Sequence, residues 1–248
     1  MNDDVRAVLD GSARWCVVNA DCREVMRTLG PRSVDAVVSD PSYGTGQWQR
    51  AESGAGSDCR AVHSIEAWDV WEPAWIDDAL CVARGPVLSY LPQTRLEELF
   101  AKGRALGIPT RMLLWCKTDP RPRFSGQPAY GFESVVAFRG LTGGETDWFA
   151  ASAPRVNRDR EATGHPHAKP VVVDRWLVRL STSVDGVVFV PHGGRGTTAI
   201  AALSEGRRVI LCEREADHAA YARDWCERFV SGARAKGDAQ PVLFGGSR

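Results

Sequence analysis

The chain has 248 residues, 44% of them hydrophobic and 25% charged, a balance that predicts one or two compact domains able to bury a full core. Its 31 lysines and arginines offset its 31 aspartates and glutamates. That excludes a surface that is basic all over, so contact with nucleic acid has to come from a local patch.

Along the chain, apolar runs of strand length alternate with segments of helical periodicity. A strand is predicted over 15–19, a helix over 22–29 and a strand over 34–39. The Gly- and Ser-rich stretch 44–63 follows and reads as a long mobile loop. Next come a helix over 75–82, a strand over 85–90, a helix over 94–106 and strands over 111–116 and 133–138. Residues 141–164 break the rhythm as a second irregular stretch. A helix over 171–181, a strand over 187–191, a helix over 197–205, a strand over 209–212 and a helix over 217–229 complete the series. The alternation predicts an α/β fold with about seven strands in a mostly parallel sheet and helices on both faces. A single domain is expected over 1–230, with 231–248 as a flexible tail.

The 7 cysteines form no C-x-x-C pair and lack the paired spacing of a zinc site, so they read as thiols of a reducing cytoplasm. The acidic start Met1-Asn2-Asp3-Asp4 leads into no apolar leader, and no run is long and apolar enough to span a bilayer. A cytoplasmic protein with no membrane contact is therefore expected. His165 and His167 form an H-x-H pair without further ligands nearby, so no metal is expected.

Two stretches carry chemistry. In 187–202 an apolar strand runs through Pro191, His192, Gly193, Gly194, Arg195 and Gly196 directly into a helix beginning at Thr197 and Thr198. Glycines there let backbone approach a ligand and aim helix N–H groups at an anionic group. The following strand ends at Glu213, placed to accept the two hydroxyls of a ribose. Together these features point to a nucleoside-type cofactor. The other stretch, 34–44, is a buried strand ending in Asp40-Pro41-Ser42-Tyr43, at the edge where open α/β sheets bind ligands; an Asx/Pro turn followed by a surface tyrosine is the plainer reading.

These residues resemble the amino-methyltransferases that modify adenine N6 or cytosine N4 in DNA. Asp40-Pro41-Ser42-Tyr43 is similar to the family's D-P-P-Y motif, and residues 19–26 to the segment preceding it. His165-Pro166-His167-Ala168-Lys169-Pro170 resembles H-P-x-x-K-P, and Val190-Pro191-His192-Gly193-Gly194-Arg195-Gly196-Thr197-Thr198 resembles D-P-F-x-G-x-G-T-T. Residues 115–117 and 132–136 fit its middle strands. The matches run in order from about Val17 to Phe229, and the catalytic segment precedes the glycine loop, as in the permuted β class.

The resemblance implies a Rossmann-like fold, S-adenosylmethionine as cofactor and double-stranded DNA as substrate. It assigns methyl transfer to Asp40, Pro41, Ser42 and Tyr43. Asp40 and the Pro41 carbonyl would accept the hydrogens of the exocyclic amine, and Tyr43 would stack on a base flipped from the duplex. Implied cofactor contacts are Asp21 and Cys22 near the adenine, Asp40, His165, Lys169 near the methionine end, Glu213 on the ribose, and Pro191, His192, Gly193, Gly194, Gly196, Thr197 and Thr198 in the loop. N-capping of the helix at Cys22 is the plainer role for Asp21, and a solvated position before Pro170 for Lys169.

Ser42, Val190 and His192 depart from the family pattern, and Arg195 stands where a small residue is common. Asp40 favours adenine N6, because cytosine-N4 relatives more often carry Ser there and Ser39 sits one position early. Cytosine N4 transfer, or a catalytically weak relative acting as a binding module, remain as alternatives. Residues 141–164 would form a short target-recognition region. Lys117, Arg121, Arg123, Arg155, Arg158 and Arg160 would contact phosphates, with Asn157 or an arginine reading base edges. An ordinary solvated loop is the competing reading. Trp68, Trp71 and Trp75 are expected to pack a core edge. A short recognition region leaves room for a second subunit, and Gln240 to Phe244 resembles a peptide that docks on the bacterial sliding clamp. The biological setting implied is restriction-modification or a related use of DNA methylation.

Overall fold

The structure, a computed structural model, describes residues 1–44, 70–120, 129–152 and 169–232. Its first helix, α1 (Asp3–Asp10), begins where the Asn2 side chain accepts the N–H of Asp4 and ends at Gly11, whose φ of 90° places it in the left-handed region. The chain continues through β1 (Trp15–Asn19), α2 (Cys22–Thr28) and β2 (Ala36–Ser39). After the undescribed 45–69 come α3 (Trp75–Val82), β3 (Val87–Leu91), a short 3-10 turn over Gln93–Arg95 and α4 (Leu96–Ala105). Three strands follow, β4 (Thr110–Lys117), β5 (Phe132–Phe138) and β6 (Trp148–Ala151), then α5 (Val171–Ser181), β7 (Val187–Val190), α6 (Thr197–Ser204), β8 (Arg208–Glu213) and α7 (Ala216–Ser231).

The strands form one sheet of order β1-β8-β7-β2-β3-β5-β4-β6. All pairings are parallel except those that β5 makes with β3 and β4. Strands buried on both faces should read as continuous apolar runs, and β2, β3 and β7 are buried at every position. One core layer joins the sheet to α1, α2, α3 and α4 through Val5, Val25, Met26, Ile76 and Leu99. The opposite layer joins it to α5, α6 and α7 through Trp176, Leu177, Ile200, Ala222 and Cys226. Helices therefore cover both faces, as expected.

Three expectations need correction. The sheet has eight strands rather than about seven, because β6 lies inside the stretch read as irregular and adds to the free edge of β4. Helix α1 is absent from the predicted series; its Val5 and Val8 are buried, and Arg208 donates to the Val8 and Leu9 carbonyls at its end. The helix expected over 94–106 starts at Leu96, after the 3-10 turn.

This topology places the chemistry. Chain direction across the sheet reverses between β7 and β2: from β7 the chain steps to β8, and from β2 it steps to β3 on the other side. Ligands of open α/β sheets bind beyond the strand C-termini at such a switch point. Asp40 follows β2 there, and Pro191 follows β7.

Candidate active site

Because β5 runs against its neighbours, its first residues reach the sheet edge where the parallel strands end. Glu133 thus pairs in register with Trp115 of β4, and Ser134 with Leu91 of β3. Asp40, Lys117 and Glu133 gather at this edge with Lys169, which precedes α5.

The Lys169 ammonium lies 3.2 Å from Asp40 Oδ1 and 3.2 Å from Glu133 Oε2, while Lys117 Nζ lies 2.8 Å from Glu133 Oε1. Tyr43 donates its hydroxyl to Asp40 Oδ1 at 3.1 Å. The same ammonium lies over the rings of Tyr43 and Tyr90, at 5.1 and 5.2 Å from their centroids, a favourable setting for a cation. Beneath it, Asp174 on the first turn of α5 accepts hydroxyls from Tyr90 at 2.8 Å and from Thr198 of α6 at 2.7 Å.

Burial sets the protonation of this cluster. It raises the Asp40 carboxyl above the ordinary range, more than Lys169 and Tyr43 lower it, and Glu133 adds to the rise. Glu133 is held below its ordinary value because Lys169 and Lys117 together outweigh its burial. Burial opposes the charge of Lys169, but Asp40 and Glu133 hold its pKa well above normal. Asp174 is pushed up to about 6 by burial, against the hydroxyls of Thr198 and Tyr90.

On the other side of β2 lies the glycine turn. Gly194 and Gly196 have φ of 51° and 99°, conformations that favour glycine. A side chain at Gly193 would overlap Leu211 of β8, and one at Gly196 would press on Ala222 of α7. The turn is pinned to the end of β8: Gly193 N–H donates to the Cys212 carbonyl at 2.8 Å and Gly194 N–H to Glu213 Oε2 at 2.7 Å. Glu213 Oε1 accepts from the Glu215 N–H at 2.8 Å. An ionised carboxylate has about four acceptor sites, so this anchoring leaves capacity for a diol. Helix α6 has no side-chain cap, and its first N–H groups face the same edge. A glycine turn, an open helix start and an acid at the next strand end fit a nucleoside cofactor with an anionic tail.

His192 occupies the space between the turn and β2. Its Nδ1 is 2.7 Å from Ser39 Oγ, its Nε2 3.8 Å from Cys22 Sγ, and its ring meets Trp75 edge-on at 5.0 Å. Burial depresses its pKa to about 4, so the ring is neutral and bridges β2 to the glycine turn. Cys22 is itself pushed up to about 12, mainly by burial, which makes it an inert packing thiol. Val190 is fully buried within β7, where an acid would have no water. The Arg195 guanidinium lies over the Tyr221 ring at 4.7 Å, on the side of α7.

The structure thus brings together Asp40, Tyr43 and Lys169 on one side and Cys22, Pro191, His192, the glycines, Thr197, Thr198 and Glu213 on the other. Asp21 caps α2, accepting the Arg23 N–H at 2.8 Å, in line with its plainer reading. Lys117 differs from expectation: it pairs with Glu133 and is 17% exposed, so it belongs to the charge cluster rather than to a phosphate-contacting surface. Lys169 is likewise buried in that cluster, not solvated. Trp75 is buried in the core and Trp71 packs against the same cluster. Arg121, Arg123, Arg155, Asn157, Arg158, Arg160, His165, His167, Trp68, most of 44–63 and Gln240 to Phe244 lie outside the described residues. Glu133, Tyr90 and Asp174 are site residues that the sequence pattern does not single out. Glu133 lies second in a strand whose antiparallel sense is invisible in sequence, and Asp174 looks like an ordinary first-turn acid.

The family profile for N6/N4 methyltransferases, described as DNA methylase, matches residues 111–224. Among curated proteins, the chain is 22% identical over 237 residues to the type II methyltransferase M2.LlaDCHI of Lactococcus lactis subsp. cremoris, covering 84% of this chain and 87% of that protein. It is 26% identical over 200 residues to the putative methylase YubD of Escherichia coli K12, covering 79% and 83%. Among solved structures, the M1.HpyAVI–SAM complex matches with a TM-score of 0.61 at 18% identity, over 85% of this chain and 99% of that one. The cytosine-N4-specific PvuII DNA methyltransferase matches at 0.63 and 14% identity, over 89% and 94%. The putative DNA modification methylase TTHA0409 of Thermus thermophilus, complexed with S-adenosyl-L-methionine, matches at 0.53 and 22% identity, over 89% and 97%. These structures share the α/β fold described above. Among the described residues no helix is long and apolar enough to cross a membrane. Profile and relatives agree that the chain resembles the N6-adenine/N4-cytosine DNA methyltransferases.

Proposed function

We propose that this chain methylates the N6 amine of an adenine flipped out of double-stranded DNA. S-adenosylmethionine, when bound at the glycine turn, supplies an electrophilic sulfonium methyl. The chain's own residues do the rest by positioning. An exocyclic amine is a poor nucleophile because its lone pair is delocalised into the ring. Hydrogen bonds from the amine to the Asp40 carboxylate and the Pro41 carbonyl favour a tetrahedral nitrogen whose lone pair can attack in line, an effect mainly of orientation. A carboxyl already raised by burial suits a group that also accepts the proton released after transfer. Tyr43 offers its face to the flipped base, and Glu213 accepts the ribose hydroxyls.

The observation that carries this reading is the juxtaposition of Asp40 and the glycine turn at the sheet's switch point, bridged by the Ser39–His192 contact at 2.7 Å. It also bears on the base. Ser39, the serine that precedes Asp40 at the end of β2, is committed to His192, which leaves Asp40 as the acceptor and favours adenine. The same reading assigns target contacts to the arginines of 121–123 and 155–160, and adds a second subunit or a sliding clamp as aids to DNA binding. Mass spectrometry of nucleosides from DNA incubated with the chain and S-adenosylmethionine tests it, with N6-methyladenine expected. N4-methylcytosine would reassign the base. Cofactor binding without any methylated nucleoside would favour the binding-module reading motivated by Ser42, Val190 and His192.

A further inference from the structure

Lys117, Glu133, Lys169 and Asp40 form a continuous row of alternating charge, supplied by β4, β5, the approach to α5 and the end of β2. The two carboxylate oxygens that share Lys169 each lie 3.2 Å from its Nζ, so they are no more than twice that distance apart. The side chains are 17%, 24%, 11% and 26% exposed in the same order, and ions so sheltered are costly to desolvate. A lone Lys169–Asp40 pair would already be neutral. The second pair therefore needs a reason beyond charge balance.

We propose that Glu133, anchored by Lys117, is a positioning residue for methyl transfer: it competes with Asp40 for the Lys169 ammonium and so keeps acceptor strength on Asp40 for the substrate amine. The inference rests on the role of Asp40 given above. Bound by Lys169 alone, Asp40 would spend its charge on that ammonium; sharing weakens the hold. Among the described residues, other groups facing the row are the Tyr43 hydroxyl on Asp40, the Tyr43 and Tyr90 rings on Lys169, the Trp115 ring on Lys117, and Asp174 held by Tyr90 and Thr198. Lys169 sits equally close to the two carboxylates, and the Glu133 charge adds to the rise that burial imposes on Asp40.

Two variants of the full chain give opposite signs. Glu133→Gln removes a negative charge and returns Lys169 to Asp40. Lys117→Met leaves Glu133 less compensated and adds net negative charge beside Asp40. With aspartate labelled with carbon-13 at Cγ, and the Asp40 resonance assigned by its loss in Asp40→Asn, NMR reads the titration midpoint directly; kcat against pH is followed in parallel. Glu133→Gln should lower the Asp40 midpoint and the acid limb of kcat by about one to two pH units, and Lys117→Met should raise both. A purely structural role would lower the unfolding temperature of both variants and leave the Asp40 midpoint in place. Equal midpoints in all three proteins, or shifts of one sign, overturn the proposal. Should Glu133→Gln fail to fold, Lys117→Met decides alone. A parent chain that methylates no DNA overturns the functional reading instead, and the titration distinguishes that failure.

Discussion

Asp174 joins three elements through its two hydroxyl partners, Tyr90 of β3 and Thr198 of α6, and it is 1% exposed. Its pKa of about 6 against an ordinary 3.8 means that the folded chain holds a proton the unfolded chain has released. A group raised in this way contributes stability that is complete below 3.8 and lost as pH rises through about 6. About two pH units at 1.36 kcal/mol each correspond to about 3 kcal/mol lost by pH 8. Asp174→Asn carries no charge to desolvate, and its amide can still accept from Tyr90 and donate to Thr198. The variant should therefore be more stable than the parent by up to about 3 kcal/mol at pH 8, with the difference shrinking towards zero at pH 4. Urea unfolding followed by circular dichroism at pH 8, 7, 6, 5 and 4 reads this difference, in which titrations common to both proteins cancel. A stability difference that does not change between pH 8 and pH 4 would refute the reasoning.

His192 titrates in the opposite sense. Its pKa is about 4 in the fold against 6.5 outside it, so its contribution is complete above 6.5 and falls by about 3 kcal/mol as pH drops to 4. His192→Phe should flatten that acid loss while costing about 1–3 kcal/mol at pH 7, because Ser39 Oγ is left without its partner; an unchanged slope between pH 6.5 and 4 counts against a buried neutral imidazole. Gly196 has φ 99° and would bring a Cβ to 3.1 Å from Ala222. Gly196→Ala should cost about 1–3 kcal/mol in strain and weaken S-adenosylmethionine binding in calorimetry, whereas parent-like affinity would show that the turn does not shape the cofactor site.

The parallel core is legible in the sequence because its strands are uninterrupted apolar runs: 15–19 is the same in sequence and structure, and the strand ends at Asp40 and Glu213 lie where the pattern puts them. The glycine turn is legible because its backbone demands are local. What the sequence hides is either brief or non-local. Strand β6 is four residues long, with Trp148 exposed on an edge, and carries no alternation long enough to register. Helix α1 does carry a signal, Asn2 as cap, Val5 and Val8 one turn apart and Gly11 as stop, but its acidic first turn reads as a polar terminus. Glu133 and Asp174 become neighbours of Asp40 only through the reversed β5 and the packing of α5 on the sheet, which no short window contains. Lys117 reads as a surface cation for the same reason, since its partner lies on the adjacent strand.

Asp40 is the residue on which the account turns. The most direct measurement is the yield of N6-methyladenine, by nucleoside mass spectrometry, from DNA incubated with S-adenosylmethionine and either the parent chain or Asp40→Ala, with calorimetric cofactor binding as the control. N6-methyladenine is expected from the parent, none from Asp40→Ala, and S-adenosylmethionine binding by both; turnover by Asp40→Ala at the parent's rate would contradict the role proposed for Asp40.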